Sequence, residues 1–237
     1  MPNSFFQFRQ FRIVQDRCAM KVGTDGVLLG AWTPCSSARH VLDVGTGTGL
    51  LALMLAQRCP GASVEAVEID PDAAAQAADN VRYSPWHDRI LVRCTSFQAF
   101  AAQSLARFDT IVCNPPYFRS SLHSPDARRT AARHADGLPL DQLVSGVVRL
   151  LSPDGAFSVV LPLPEGESLL RLCLSAGLFL RRRTWVYPMR RSPQPKRVLL
   201  SFGFSDAPAR EDSLVIEEAD RHDYSDAYRR LTSAFYL

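Results

Sequence analysis

Short apolar runs alternate along this chain with stretches in which apolar residues recur every three or four positions. The runs predict strands near 40–44, 64–69, 90–94, 109–113, 156–161, 182–187 and 197–204. The periodic stretches predict helices near 25–32, 48–58, 71–83, 97–105, 139–151 and 166–176. Boundary residues agree: Asp70-Pro71-Asp72 and Pro139-Leu140-Asp141 open helices, and Ser152-Pro153-Asp154-Gly155 ends the second of these. Alternation of helices with nearly continuous apolar strands predicts an α/β fold, a parallel sheet covered on both faces. The last two strands are joined by Pro and Arg residues rather than a helix, so they form a hairpin and one strand runs antiparallel. Phe5, Phe6, Phe8, Phe11 and Ile13 fit either a short hairpin strand that covers the sheet or a surface for substrate.

Composition adds compartment and partner. A chain of 237 residues, 46% hydrophobic, buries a substantial core. No run of about eighteen apolar residues exists, and Met1-Pro2-Asn3-Ser4-Phe5 lacks a basic stretch followed by an apolar one, so a cytoplasmic protein without membrane partners is expected. Six scattered cysteines, with no C-x-x-C pair, read as reduced packing residues. The histidines show no ligand spacing, and no residue is assigned to a metal. The net charge of +3 divides unevenly: residues 1–21, 118–135 and 181–197 hold 4, 4 and 7 Lys or Arg against only Asp16 and Asp126. These segments carry +13 and the remainder −10, which implies a basic face for nucleic acid if they converge in space.

Two motifs carry the chemistry. Asn114-Pro115-Pro116-Tyr117 follows Asp109–Cys113, where a buried strand leaves its sheet. Consecutive prolines fix φ and remove two donors, and a residue before proline is held extended. The Asn114 side chain and the Pro115 carbonyl are thereby set to accept from one external NH2 group, with Tyr117 as a stacking face. An adenine amine or a glutamine amide fits equally. Upstream, Val41-Leu42-Asp43-Val44 enters the loop Gly45-Thr46-Gly47-Thr48-Gly49, where Gly45, Gly47 and Gly49 let a ligand approach the backbone. Asp43 suits a cationic ligand rather than a phosphate. Glu68, 19 residues beyond Gly49 at a strand end, suits a ribose diol, and Ile69 offers an apolar wall for a ring. S-adenosyl-L-methionine, with a sulfonium, an amino group, a ribose and no phosphate, meets these demands.

With these motifs the chain resembles the class I S-adenosylmethionine-dependent methyltransferases, and among them the Asn-Pro-Pro-Tyr amino-methyltransferases. Phe8–Phe11 with Lys21-Val22-Gly23-Thr24-Asp25-Gly26 through Trp32, and Tyr224–Tyr228 with Phe235-Tyr236-Leu237, are similar to the opening and closing signatures of the tRNA1(Val) adenine-37 N6-methyltransferases. The resemblance implies a Rossmann-like, seven-stranded, mostly parallel sheet with one antiparallel strand and helices on both faces. It implies one domain overall, with residues 1–35 as an amino-terminal extension packed on a methyltransferase domain over 36–237, and Lys21–Gly26 lying over the cofactor's methionine end. The implied reaction is methyl transfer to the N6 amine of an adenine in tRNA, adenine 37 beside the anticodon of a valine tRNA.

In that reading Asn114 and Pro115 hold the amine, Asn114 also touches the cofactor, Tyr117 and Phe118 hold the base, and Arg119, Arg128, Arg129 and Arg133 hold RNA. An adenine in an anticodon loop must leave its stack to reach such a pocket. The family pattern has an acid where this chain has Ser96; Ser96 would accept from the cofactor's adenine amine, and Phe97 would pack on that ring. Two other readings stay open. One is a glutamine N5-methyltransferase acting on a release factor, although only about 40 residues precede the glycine loop here. The other is a non-catalytic RNA-binding protein that keeps the fold. The sequence does not specify an oligomeric state, and a monomer is the expectation.

Overall fold

The computed structural model describes residues 4–115 and 138–236. Its elements in chain order are β1 (Phe5–Gln7), β2 (Arg12–Val14), α1 (Thr24–Trp32), β3 (His40–Val44), α2 (Leu50–Arg58), β4 (Ser63–Glu68), α3 (Pro71–Arg82), β5 (Ile90–Cys94), α4 (Phe97–Gln103) and β6 (Phe108–Cys113). They continue with α5 (Leu140–Leu150), β7 (Leu151–Leu161), α6 (Leu163–Ser175), β8 (Phe179–Met189), β9 (Arg197–Gly203), β10 (Arg210–Glu217) and α7 (Asp226–Thr232). The large sheet has the order β10-β8-β9-β7-β6-β3-β4-β5. All its strands run parallel except β9, which is antiparallel to both β7 and β8. Chain order reverses between β3 and β6, and open α/β sheets bind ligands above the carboxyl ends of the strands at such a point.

Both faces of the sheet are buried because successive strand residues point to opposite sides and the central strands are mostly apolar. Val41, Val160 and Leu199 enter a core shared with α1 and α2, while Leu42, Val159 and Leu200 enter a core shared with α4, α5 and α6. Asp70 caps α3 as its sequence predicts, accepting from Asp72 N at 2.8 Å and Ala73 N at 3.0 Å with Pro71 in the first turn.

The structure departs from the sequence reading in four places. The sheet has eight strands among the described residues rather than seven, since β10 pairs in parallel with β8 as an edge strand. Its acidic first half hides the strand pattern. Ser152–Gly155 does not simply end α5: it is taken into β7, where register jumps from Phe108↔Leu151 to Thr110↔Ala156. The amino-terminal hairpin pairs Phe6 with Ile13 and fastens to α3 rather than spreading over the sheet, Val14 exchanging hydrogen bonds with the Asn80 side chain at 2.9 and 2.8 Å.

The fourth departure concerns charge. Glu211 and Asp212 of β10 lie in register with Arg183 and Thr184 of β8. Arg182 pairs with Asp212 at 3.1 Å, Arg183 with Glu211 at 2.6 Å, Arg190 with Glu218, and Arg197 with Asp25 at 2.8 Å. Four of the seven basic residues in 181–197 are therefore neutralised by acids distant in sequence, so this segment is not the unopposed basic patch that its own composition suggests.

Candidate active site

The site forms where four parallel strands end. After β3, Gly45 and Thr46 both donate to the Val67 carbonyl of β4, at 2.9 and 3.0 Å, which turns the loop across the end of the neighbouring strand. Gly47 N donates to Glu68 Oε2 at 2.8 Å, and Asp70 N donates to Oε1 at 3.0 Å, so the Glu68 carboxylate is fixed by backbone on both oxygens. Gly45, Gly47 and Gly49 have φ of +68°, +54° and +83°, a region that residues with a Cβ rarely adopt. A Cβ on Gly45 or Gly47 would meet no atom within 4 Å, so the loop's outer side faces open space.

Asp43, at the foot of this loop, is fully buried. Its Oδ2 accepts from Thr46 Oγ1 at 2.5 Å and from Ala52 N at 3.1 Å, while Oδ1 is buried with no hydrogen-bond partner among the described residues. Burial pushes the carboxyl up to about 7, against the two hydrogen bonds that favour the ion and with the Glu68 charge adding to the rise. A buried carboxylate with one oxygen left over is suited to a cation.

Two cavities flank the loop and share Gly45. The first, about 300 Å³, is lined by Glu68, Ile69, Ser96, Phe97 and Leu138. Ile69, just beyond the end of β4, is 56% exposed and presents an apolar wall there. Ser96 caps α4, its Oγ accepting from Ala99 N at 3.1 Å, so one of its lone pairs is already engaged. Phe97 is buried with its ring against Gly146 of α5, where a Cβ would stand 2.4 Å from the ring. It supports the cavity more than it faces it. The second cavity, about 380 Å³, is lined by Asn114, Gly47, Gly23, Asp25, Lys21 and Arg197. Pro115 is buried beside it at the end of β6. Tyr117, Phe118, Arg119, Arg128, Arg129 and Arg133 lie outside the described residues, as does Pro116.

A family model described as the methyltransferase small domain matches residues 21–162. A tRNA1(Val) (adenine(37)-N6)-methyltransferase of Bacteroides fragilis is 52% identical over 100% of this chain and 99% of its own length. The chain belongs to that methyltransferase family. A relative of the same description from Phocaeicola vulgatus is 51% identical over 100% of this chain and 99% of its own. The fold is similar to a crystal structure of a predicted O-methyltransferase from Agrobacterium tumefaciens, with a TM-score of 0.67 and 19% identity over 89% of this chain and 96% of that one. The class I methyltransferase architecture with its mostly parallel sheet is thus present, and the cofactor of this methyltransferase is S-adenosyl-L-methionine.

Arg197 is the site residue that the sequence reading of this methyltransferase placed elsewhere. Grouped by composition with a basic segment for RNA, it lines the cavity beside the glycine loop. The reason is direction: an antiparallel strand begins at the edge where its parallel neighbours end, so the first residue of β9 is delivered to the carboxyl edge of the sheet. Asp25 stands in the first turn of α1 and does not cap it. Gly23 stands at the cap position with no side-chain bond, and Asp25 pairs with Arg197 instead. Among the described residues no three His, Cys or acidic side chains are grouped to hold a metal ion, and no helix is long and apolar enough to cross a membrane.

Proposed function

We propose that this protein transfers the methyl group of S-adenosylmethionine to the N6 amine of an adenine in tRNA, adenine 37 beside the anticodon of a valine tRNA. The observation that carries the reading is the position of Asn114: directly after β6, at the switch point of the sheet, on the wall of a cavity shared with the glycine loop, with Pro115 next in the chain. The residues present fit the cofactor. Asp43 Oδ1 supplies a buried acceptor for a cation, the open sides of Gly45 and Gly47 admit its body, and Glu68, Ile69 and Ser96 line a cavity of the size of an adenosine. When bound, it supplies an electrophilic methyl on a sulfonium.

An adenine amine has its lone pair delocalised into the ring, and an acid–base pair does little for it. The Asn114 side-chain oxygen and the Pro115 carbonyl accept its two hydrogens, which orients the nitrogen and favours a more tetrahedral geometry. Pro115 has no N–H to compete for the site. The reading assigns Tyr117 and Phe118 to stacking on the base and Arg119, Arg128, Arg129 and Arg133, which follow in sequence, to the RNA phosphates. The reading includes a cytoplasmic monomer in which residues 1–35 are an extension on the 36–237 domain, supported by Phe8, Phe11 and Ile13 sharing one core with α1 and α2.

The test is mass spectrometry of tRNA nucleosides after incubation with labelled cofactor. The expected product is N6-methyladenosine at position 37 of a valine tRNA. Label on a release factor, or on neither, would overturn the reading.

A further inference from the structure

We propose a second nucleotide site: an aromatic cleft between the two ends of the chain that holds an unpaired base neighbouring the target adenine. The inference rests on the tRNA reading above and extends it to a surface that the methyl-transfer chemistry does not use. A cavity of about 650 Å³ lies between Phe6 and Arg9 on one side and Tyr224, Tyr228, Arg229 and Tyr236 on the other. Its wall includes Val22, Gly23 and Thr24, which also line the cavity that holds Asn114. The two spaces are thus separated by the thickness of one backbone segment, a separation that adjoining nucleotides span.

The chemistry of the lining fits a base and its phosphate. Tyr224 and Tyr228 stack at 5.0 Å between centroids and 24° between planes, and the run of rings continues to Tyr236 and Phe6 at 6.3 and 6.1 Å. Tyr228 is buried while Tyr224 and Tyr236 are partly exposed, so a supported ring stack ends in open faces. Every base has a π-face, and such platforms bind unpaired nucleotides without demanding one sequence. At the rim Arg9 donates from Nε to the Tyr236 carbonyl, and Arg229 pairs with Asp223 at 3.4 Å; both are exposed. Both arginines line the same cavity as the rings, so one cleft offers cations for a phosphate and faces for a base. Phe8 and Phe235 are buried in the core, whereas Phe6, Tyr224 and Tyr236 each stay partly exposed at the cavity.

The test pairs a protein variant with a substrate variant. Anticodon stem-loops carrying a single abasic site at each position flanking the target are methylated by the wild-type protein and by Tyr224→Leu, with Tyr224→Phe as the conservative control. At one flanking position the abasic site should lower kcat/KM for wild type by about 10-fold, the scale of one base–aromatic stack. That penalty should vanish in Tyr224→Leu and persist in Tyr224→Phe, with cofactor affinity equal in all three. Equal losses for Tyr224→Leu on intact and abasic RNA would mean the ring only supports the fold, and would overturn the inference while leaving the tRNA reading standing. No methylation of intact stem-loop or tRNA by wild type would remove both.

Discussion

In the proposed reaction Asn114 holds the target amine and Asp43 faces the cofactor's cation, and each role makes a separate prediction. Asn114→Ala removes one of two acceptors for the amine, so kcat should fall at least about 100-fold, the cost of losing one preorganised partner. Cofactor affinity by calorimetry should change less than about threefold; a matching loss of binding would contradict the assigned role. For Asp43 the sign follows from a carboxyl raised from 3.8 to about 7 by burial. An acid raised in the folded state holds its proton more tightly there than in the unfolded chain. Its contribution is therefore complete below about pH 4 and lost as pH rises through about 7. Between those limits the cofactor-free protein should lose stability on the order of 4 kcal/mol relative to Asp43→Asn, read from urea unfolding at each pH. Parallel curves for the two proteins would refute it. The same residues mark what sequence could say. Asp43, Glu68 and Asn114 were readable because their chemistry is local, set by a strand end and a turn. Arg197 was not, because its place depends on the direction of a strand.

Elements are joined here by close approaches that leave no room for a side chain. Gly146 lets α5 settle against the Phe97 ring of α4, and a Cβ there would stand 2.4 Å from it. Gly146→Val should cost about 1–3 kcal/mol in thermal unfolding, as overpacked cores do. Because Phe97 also lines the first cavity, cofactor affinity should fall with it; unchanged affinity would show that the ring moves away from the site. Strands β3 to β6 were legible as short apolar runs, α2 as an apolar stretch after the glycine loop, and α3 from its Asp70 cap and apolar period. β10 was not. Its opening Arg210-Glu211-Asp212-Ser213 reads as loop, and only the arginines of β8 make that acidity a pairing signal.

Over the whole molecule, the summed charge of each segment misled where the fold brings opposite signs together. Arg183, 18% exposed in its side chain, bridges Glu211 at 2.6 Å and Glu167 at 3.6 Å and lies over the Trp185 ring. It belongs to the fold's edge. Arg183→Met should lower stability by about 1–2 kcal/mol, a fall in Tm of about 2–8 °C for a domain of this size, with KM for tRNA unchanged within twofold. A rise in KM for tRNA at unaltered Tm would return this arginine to the RNA face.

The Asp25–Arg197 pair has a consequence in time. Its partners are 172 residues apart, on a helix made early and a strand made late. During synthesis at about 5–20 residues per second, Asp25 waits roughly 10–30 s for its counterion. Until then the glycine loop exists without one wall of its cavity, so a nascent chain that has already emitted Asp43, Glu68 and Asn114 holds the motifs of the chemistry and not yet a complete site.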